Sequence, residues 1–276
     1  VLKGGFMEFK SVGSIFDGLK GAVREIKEGE IEVLDEKLLR GVAIDKLIYN
    51  AVFNGNQEVR DYSRKLIKYI GGQVGVKSAS IQGLYEAMGK GEVKGFTVPA
   101  INIRGLTYDT ARAIFRSAIK NDSGAFIFEI AKSEIGYTEQ RPAEYTACCI
   151  VAAIKEGYRG PVFIQGDHFQ INAKKFVGNK DAEINDVKKL IKEVIDAAFY
   201  NIDIDASTTV DLDKPSVLEQ QRPNFETTAV LTEFIRASEH SGVTVSVGGE
   251  IGEVGGKNST EEELRAFMEG FNGSLP

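Results

Sequence analysis

The sequence predicts an α/β fold, a TIM-type (β/α)8 barrel present in part, with a helical appendage in front of it. Three observations point there. From Gly95 onward, short apolar strands alternate with longer amphipathic helices. Several of those strands, such as Phe126-Ile127-Phe128, are apolar on both faces, as parallel strands covered by helices should be. Polar side chains gather at the C-terminal ends of the strands: Asn102, Glu129 with Lys132, Asp167 with His168, Asp205 with Ser207, and Glu250. The spacing calls for parallel strands with right-handed crossovers. A barrel brings every strand's C-terminal end to one mouth, whereas an open doubly wound sheet uses mainly its switch point, so the barrel is preferred.

Residues 1–79 read as the helical appendage. Ile15, Leu19, Val23 and Ile26 recur at three- and four-residue spacing, as do Ile44, Leu47, Ile48 and Val52. A third run over 59–70 carries Arg60, Arg64, Lys65 and Lys68 on its polar side and stops at Gly71-Gly72. Asp35 and Asn56 stand where helix N-caps belong. Residues 80–276 form the barrel region, with strands at 96–103, 125–131, 161–166, 201–206 and 244–251. Helices are expected near 107–121, 141–157, 183–199 and 224–241, and a further βα unit is under way at 260–271. Five strands do not close an eight-stranded barrel, so the polypeptide is expected to continue past Pro276.

Composition narrows the classes of function. The chain has 276 residues, 27% of them charged, and a net charge of −6. That balance argues against a nucleic-acid partner, because phosphate backbones are met by basic faces. No stretch approaches the roughly 18 apolar residues needed to span a bilayer, and no membrane partner is expected. Cys148 and Cys149 are adjacent in a helical pattern and cannot form an ordinary disulfide framework. A cytoplasmic protein fits these features.

The sharpest chemical signal is Gln165-Gly166-Asp167-His168-Phe169. The chain has two histidines, and one follows an acid directly at the mouth-facing end of a strand. Imidazole is a common zinc ligand, and a neighbouring carboxylate can move protons beside a metal. Period-two alternation puts Asp203, Asp205 and Ser207 on one side of their strand, which suits a metal or a phosphate-bearing ligand, or equally a polar layer with Ser207 as a cap. Gly248-Gly249-Glu250-Ile251-Gly252-Glu253-Val254-Gly255-Gly256 joins an acid at a strand end to a glycine-rich loop; its spacing is not the dinucleotide fingerprint. Ser259, with Glu262 three residues on, reads as a capping box. His240 is read as a helix-terminal histidine, and Lys132 as a minor candidate for a Schiff base.

At these residues the chain resembles the class II, metal-dependent ketose-bisphosphate aldolases, over about 81–266. Val98-Pro99-Ala100-Ile101-Asn102 looks like the family's first-strand motif, in which the Asn contacts substrate. The resemblance implies that His168 binds catalytic zinc and Asp167 is the catalytic proton carrier. It also implies that Asp205 and Glu250 supply carboxylates to an ancillary metal position, and that Gly255 and Gly256, with Ser207, meet the substrate. The implied reaction is reversible retro-aldol cleavage of a ketose 1,6-bisphosphate to dihydroxyacetone phosphate and glyceraldehyde 3-phosphate. A small phosphorylated sugar and other copies of the chain, in a homo-oligomer, are the implied partners. Two departures stand out. Lys257 and Asn258 occupy places where the family carries an acidic base, and two further zinc histidines are expected only past residue 276. Asp205-Ala206-Ser207 and Gly166-Asp167-His168 also resemble the non-catalytic companion subunit of tagatose-bisphosphate aldolase.

Overall fold

The computed structural model describes residues 8–27, 30–252 and 258–276. Eight strands are found among them. β1 (Val23–Lys27) and β2 (Glu30–Val33) form an antiparallel hairpin. β3 (Val76–Ala79), β4 (Ala100–Asn102), β5 (Ile127–Ala131), β6 (Gly160–Gln170), β7 (Asn201–Asp205) and β8 (Ser246–Gly249) form one sheet. Its order is β4-β5-β6-β7-β8, with β3 paired to β6. The five strands β4 to β8 make a mixed α/β arrangement with a parallel sheet, compatible with a TIM-type fold. From β4 to β8 each strand neighbours the next in sequence, without the order reversal that defines a doubly wound sheet among the described residues, whereas β3 departs from that order by pairing with β6.

The hairpin departs from the all-helical reading of the N-terminal segment. The helix Gly13–Gly18 is short, and Gly21 takes a left-handed φ of +84° before Val23 enters a strand. Ile15, Leu19 and Val23 are buried, but Ile26 is 56% exposed, so the apparent helical stripe was never one face. β-branched Val and Ile accept an extended backbone readily.

The chain divides into two compact units. The first contains the chain up to Ala79, Val98–Phe128 and Thr138–Val162. Here the N-terminal helices Ile44–Phe53 and Gln57–Gln73 share a unit with Thr107–Lys120 and Pro142–Glu156. Charged side chains tie them: Arg64 to Glu144 at 3.0 Å, Lys155 to Asp45 at 2.7 Å and Arg112 to Glu156 at 2.7 Å. Asp35 and Asn56 cap their helices by accepting from the Leu38 and Glu58 amides. Cys148 and Cys149 are buried free thiols, and burial raises both pKa values.

The second unit contains Ser80–Thr97, Glu129–Tyr137 and Phe163–Pro276. Its core is built where β6, β7 and β8 meet the helices Lys180–Asp196 and Val217–Ser238. Ile164, Phe169, Ile202, Ile204, Val187, Ile191, Leu231 and Ile235 are all essentially inaccessible. Each such side chain contributes roughly 1.5–3 kcal/mol of burial. Asn201 anchors the start of β7, donating to the Ile164 carbonyl at 2.9 Å and accepting the Ile81 amide at 2.8 Å. The last helix, Glu261–Ser274, starts one residue later than the sequence suggested. Thr260 is the N-cap and Glu263 completes the capping box, because the Thr260 hydroxyl reaches the Glu263 amide at 3.2 Å.

Candidate functional site

β6 positions the central pair. Val162, Ile164 and Gly166 alternate inward as an ordinary strand requires, and then the pairing register with β7 slips between Gly166 and Phe169. An extra residue in one strand is a β-bulge, and it re-aims side chains next to it. His168 sits in the bulge at φ +42°, a left-handed conformation uncommon for any residue but glycine. The slip lets Asp167 and His168 join one polar cluster while Phe169 stays fully buried. Gly166 is essential to this turn: a Cβ there would lie 2.4 Å from the Phe169 ring.

The cluster is asymmetric about the imidazole. Nδ1 of His168 lies 3.5 Å from Asp205 Oδ2 and 3.7 Å from Glu250 Oε1, while Nε2 lies 3.7 Å from Asp167 Oδ1. Asp205 is held firmly, since its Oδ1 accepts from the Ser207 hydroxyl at 2.7 Å and amide at 3.1 Å. Its Oδ2 accepts from Gln170 at 2.6 Å. Ser207, buried in a short 3-10 turn, is thus engaged by Asp205. Glu250 follows β8, where Asn224 and Gln221 of the helix Val217–Ser238 donate to the carbonyls of Glu250 and Ile251.

Two further acids belong to this cluster. Asp203 points to the same side of β7 as Asp205, and Glu129 of β5 accepts from Gln165 at 3.2 Å. Burial first, then the neighbouring carboxylates, push the pKa of both Glu129 and Asp203 up to about 7. Glu250 is raised by burial and by Asp205. For His168, partial burial opposes the charged form, but Asp167, Glu250, Asp203 and Asp205 outweigh it and raise its pKa. In period-two alternation Asp203 was legible as an inward acid, though not as a close neighbour of His168. Glu129 was legible as a polar residue toward the C-terminal end of its strand, though not as a neighbour of the central pair.

The donor set suits a divalent cation. Asp167, His168 and Asp203 each offer a ligand atom, and the three atoms lie within 4.8 Å of one another. One imidazole nitrogen among carboxylate oxygens is acceptable to zinc and to similar ions.

The other sequence candidates fall elsewhere. Asn102 closes β4 in the first unit. Gly255 and Gly256, with Glu253 and Lys257, lie outside the described residues. Lys132 is not an isolated amine: its Nζ pairs with the buried Glu183 at 3.2 Å and donates to the Gln170 carbonyl at 2.7 Å. His240 lies beyond its helix, 3.9 Å from Asp196 and edge-on to Tyr200.

A family model described as fructose-bisphosphate aldolase class-II matches residues 83–270. Among solved structures, a probable tagatose 6 phosphate kinase from Sinorhizobium meliloti 1021 superposes with a TM-score of 0.47 at 17% identity. The match covers 65% of this chain and 45% of that one, so this chain spans under half of that protein's length. No curated protein matches by sequence.

Proposed function

Since the chain belongs to the class-II fructose-bisphosphate aldolase family, we propose that it is a metal-dependent lyase acting on a ketose 1,6-bisphosphate. The products of cleavage are dihydroxyacetone phosphate and glyceraldehyde 3-phosphate, and the reaction runs in both directions. The observation that supports this best is the His168 imidazole in its β-bulge, with Asp167 on one side and Asp205 and Glu250 on the other. Zinc as the cation, closure of the sheet into an eight-stranded barrel, a homo-oligomeric state and a cytoplasmic location belong to the same proposal. Among the described residues, no helix is long and apolar enough to cross a membrane.

His168 is the nitrogen donor of the proposed site, and carboxylates around it supply oxygen. A divalent cation held by these residues would supply Lewis-acid polarisation of the substrate ketone. Asp167, on the Nε2 side of the imidazole, takes the proton of the C4 hydroxyl as the C3–C4 bond breaks and its electron pair passes into the C2–C3 enediolate; a proton delivered to C3 then completes dihydroxyacetone phosphate, and condensation reverses each transfer. Asp205 is fixed by Ser207 and Gln170, so its oxygen meets His168 without a search through rotamers.

The test is release of triose phosphate from fructose and tagatose 1,6-bisphosphates by the chelator-treated full-length protein alone, with and without added Zn2+. Zinc-dependent release is expected, and D167N lowers it by roughly 10²–10⁴-fold. Turnover that appears only when an active aldolase subunit is added supports the companion reading instead. Turnover indifferent to chelator and trapped by borohydride supports a Schiff base at Lys132, against which the Lys132–Glu183 pair stands.

A further inference from the structure

We propose that Asp203 is a ligand of the cation site and that Gly248 is the positioning residue that seats it. The inference rests on the metal-binding part of the function proposed above and adds two residues that the family resemblance does not supply.

Asp203 of β7 and Gly248 of β8 are directly paired in register, so both face the same side of the sheet. A Cβ at Gly248 would lie 2.6 Å from Asp203 Oδ1 and 3.7 Å from Asp203 Cα. The Asp203 carboxylate therefore occupies the space that any side chain at residue 248 would need. In that seat it stands beside the Glu250 carboxylate and brings an oxygen within 4.8 Å of ligand atoms of His168 and Asp167. Glycine here is not required by backbone conformation, because Gly248 is absent from the positive-φ residues. Its missing side chain is required for room.

The seat also divides the labour of the acids. With Asp203 supplying an oxygen beside His168, Asp167 is left to handle the proton. Adding a methyl group at residue 248 presses on the far end of a carboxylate, not on backbone, so the strand pairing survives while the carboxylate is displaced.

The experiment is titration of Co2+ into chelator-treated protein, read by calorimetry and by the visible absorption of the bound ion. Wild type, D203N, G248A and D203N/G248A are compared, with circular dichroism confirming the fold of each. D203N is expected to weaken Co2+ binding by roughly 10–100-fold and to change the absorption band. G248A is expected to weaken it in the same range with all ligands intact. The double variant should bind no worse than D203N, because Gly248 acts only through Asp203. Wild-type affinity and spectrum in D203N overturn the proposal, as does a G248A loss that adds in full to that of D203N. A wild-type protein that takes up no Co2+ overturns it too, and with it the metal-dependent function, which separates the two failures.

Discussion

His168 holds a left-handed backbone, φ +42°, inside the β-bulge of β6. Gly166 permits the Phe169 ring to fold beneath it, and the buried ring fixes the bulge that turns Asp167 and His168 into the cluster. Strain of this kind costs on the order of 1–3 kcal/mol and persists where surrounding packing overrides it. Replacing Gly166 by Ala forces a methyl group into the Phe169 ring. We expect a loss of about 1–3 kcal/mol in stability by denaturant unfolding. The same variant should bind Co2+ more weakly than wild type, since the bulge carries the imidazole. Unchanged stability and affinity would show that Phe169 has room to move and that the bulge does not depend on it.

Elements after the strands are latched by side chains that look catalytic in isolation. Lys132 begins the helix Lys132–Thr138, yet its amine reaches the Gln170 carbonyl at the end of β6 and the Glu183 carboxylate of the helix Lys180–Asp196. Glu183 also accepts the Asn172 amide at 2.9 Å, and its side chain is 1% exposed. Removing the lysine strands a buried charge, the costly way to break such a pair. K132M should therefore lose on the order of 2–4 kcal/mol, and K132M/E183Q should recover part of it. Equal unfolding midpoints for K132M and wild type would mean that this latch carries no weight. Helix capping was the most legible feature at this scale, because Asp35 and Asn56 act within two or three residues of themselves. The β1–β2 hairpin was the least legible, since its spacing imitates a helical stripe and only burial separates the two.

For the whole molecule, the crowded acids make stability depend on pH and on cation. Asp203 and Glu129 have folded-state pKa values near 7, above the ordinary carboxylate range. A raised folded pKa favours the fold below the unfolded value and loses that contribution as pH rises through the folded one. The raised pKa of His168 acts in the same direction. The ion-free protein should thus lose melting temperature between about pH 4 and pH 8, and D203N should flatten the decline. Saturating divalent cation should reverse it, adding about 2.7 kcal/mol at a hundred times Kd. Melting curves at pH 5 and pH 8, with chelator or with Zn2+, check both effects. A flat profile in chelator would remove the acids as a source of strain.

By itself the sequence missed the β1–β2 hairpin and β3, but it determined the alternation of strands and helices after Gly95, the parallel class of the sheet, and that Asp167, His168, Asp205 and Glu250 stand toward the C-terminal ends of strands. Those features follow from local periodicity, and alternation along a strand names which side chains share a face. Tertiary structure alone decided which of them meet. The bulge at Asp167-His168 breaks the alternation, and a register partner on another strand, Gly248, makes the seat for Asp203. Both depend on pairing between segments that lie far apart along the chain, and a one-residue slip there changes every neighbour while leaving the sequence pattern untouched.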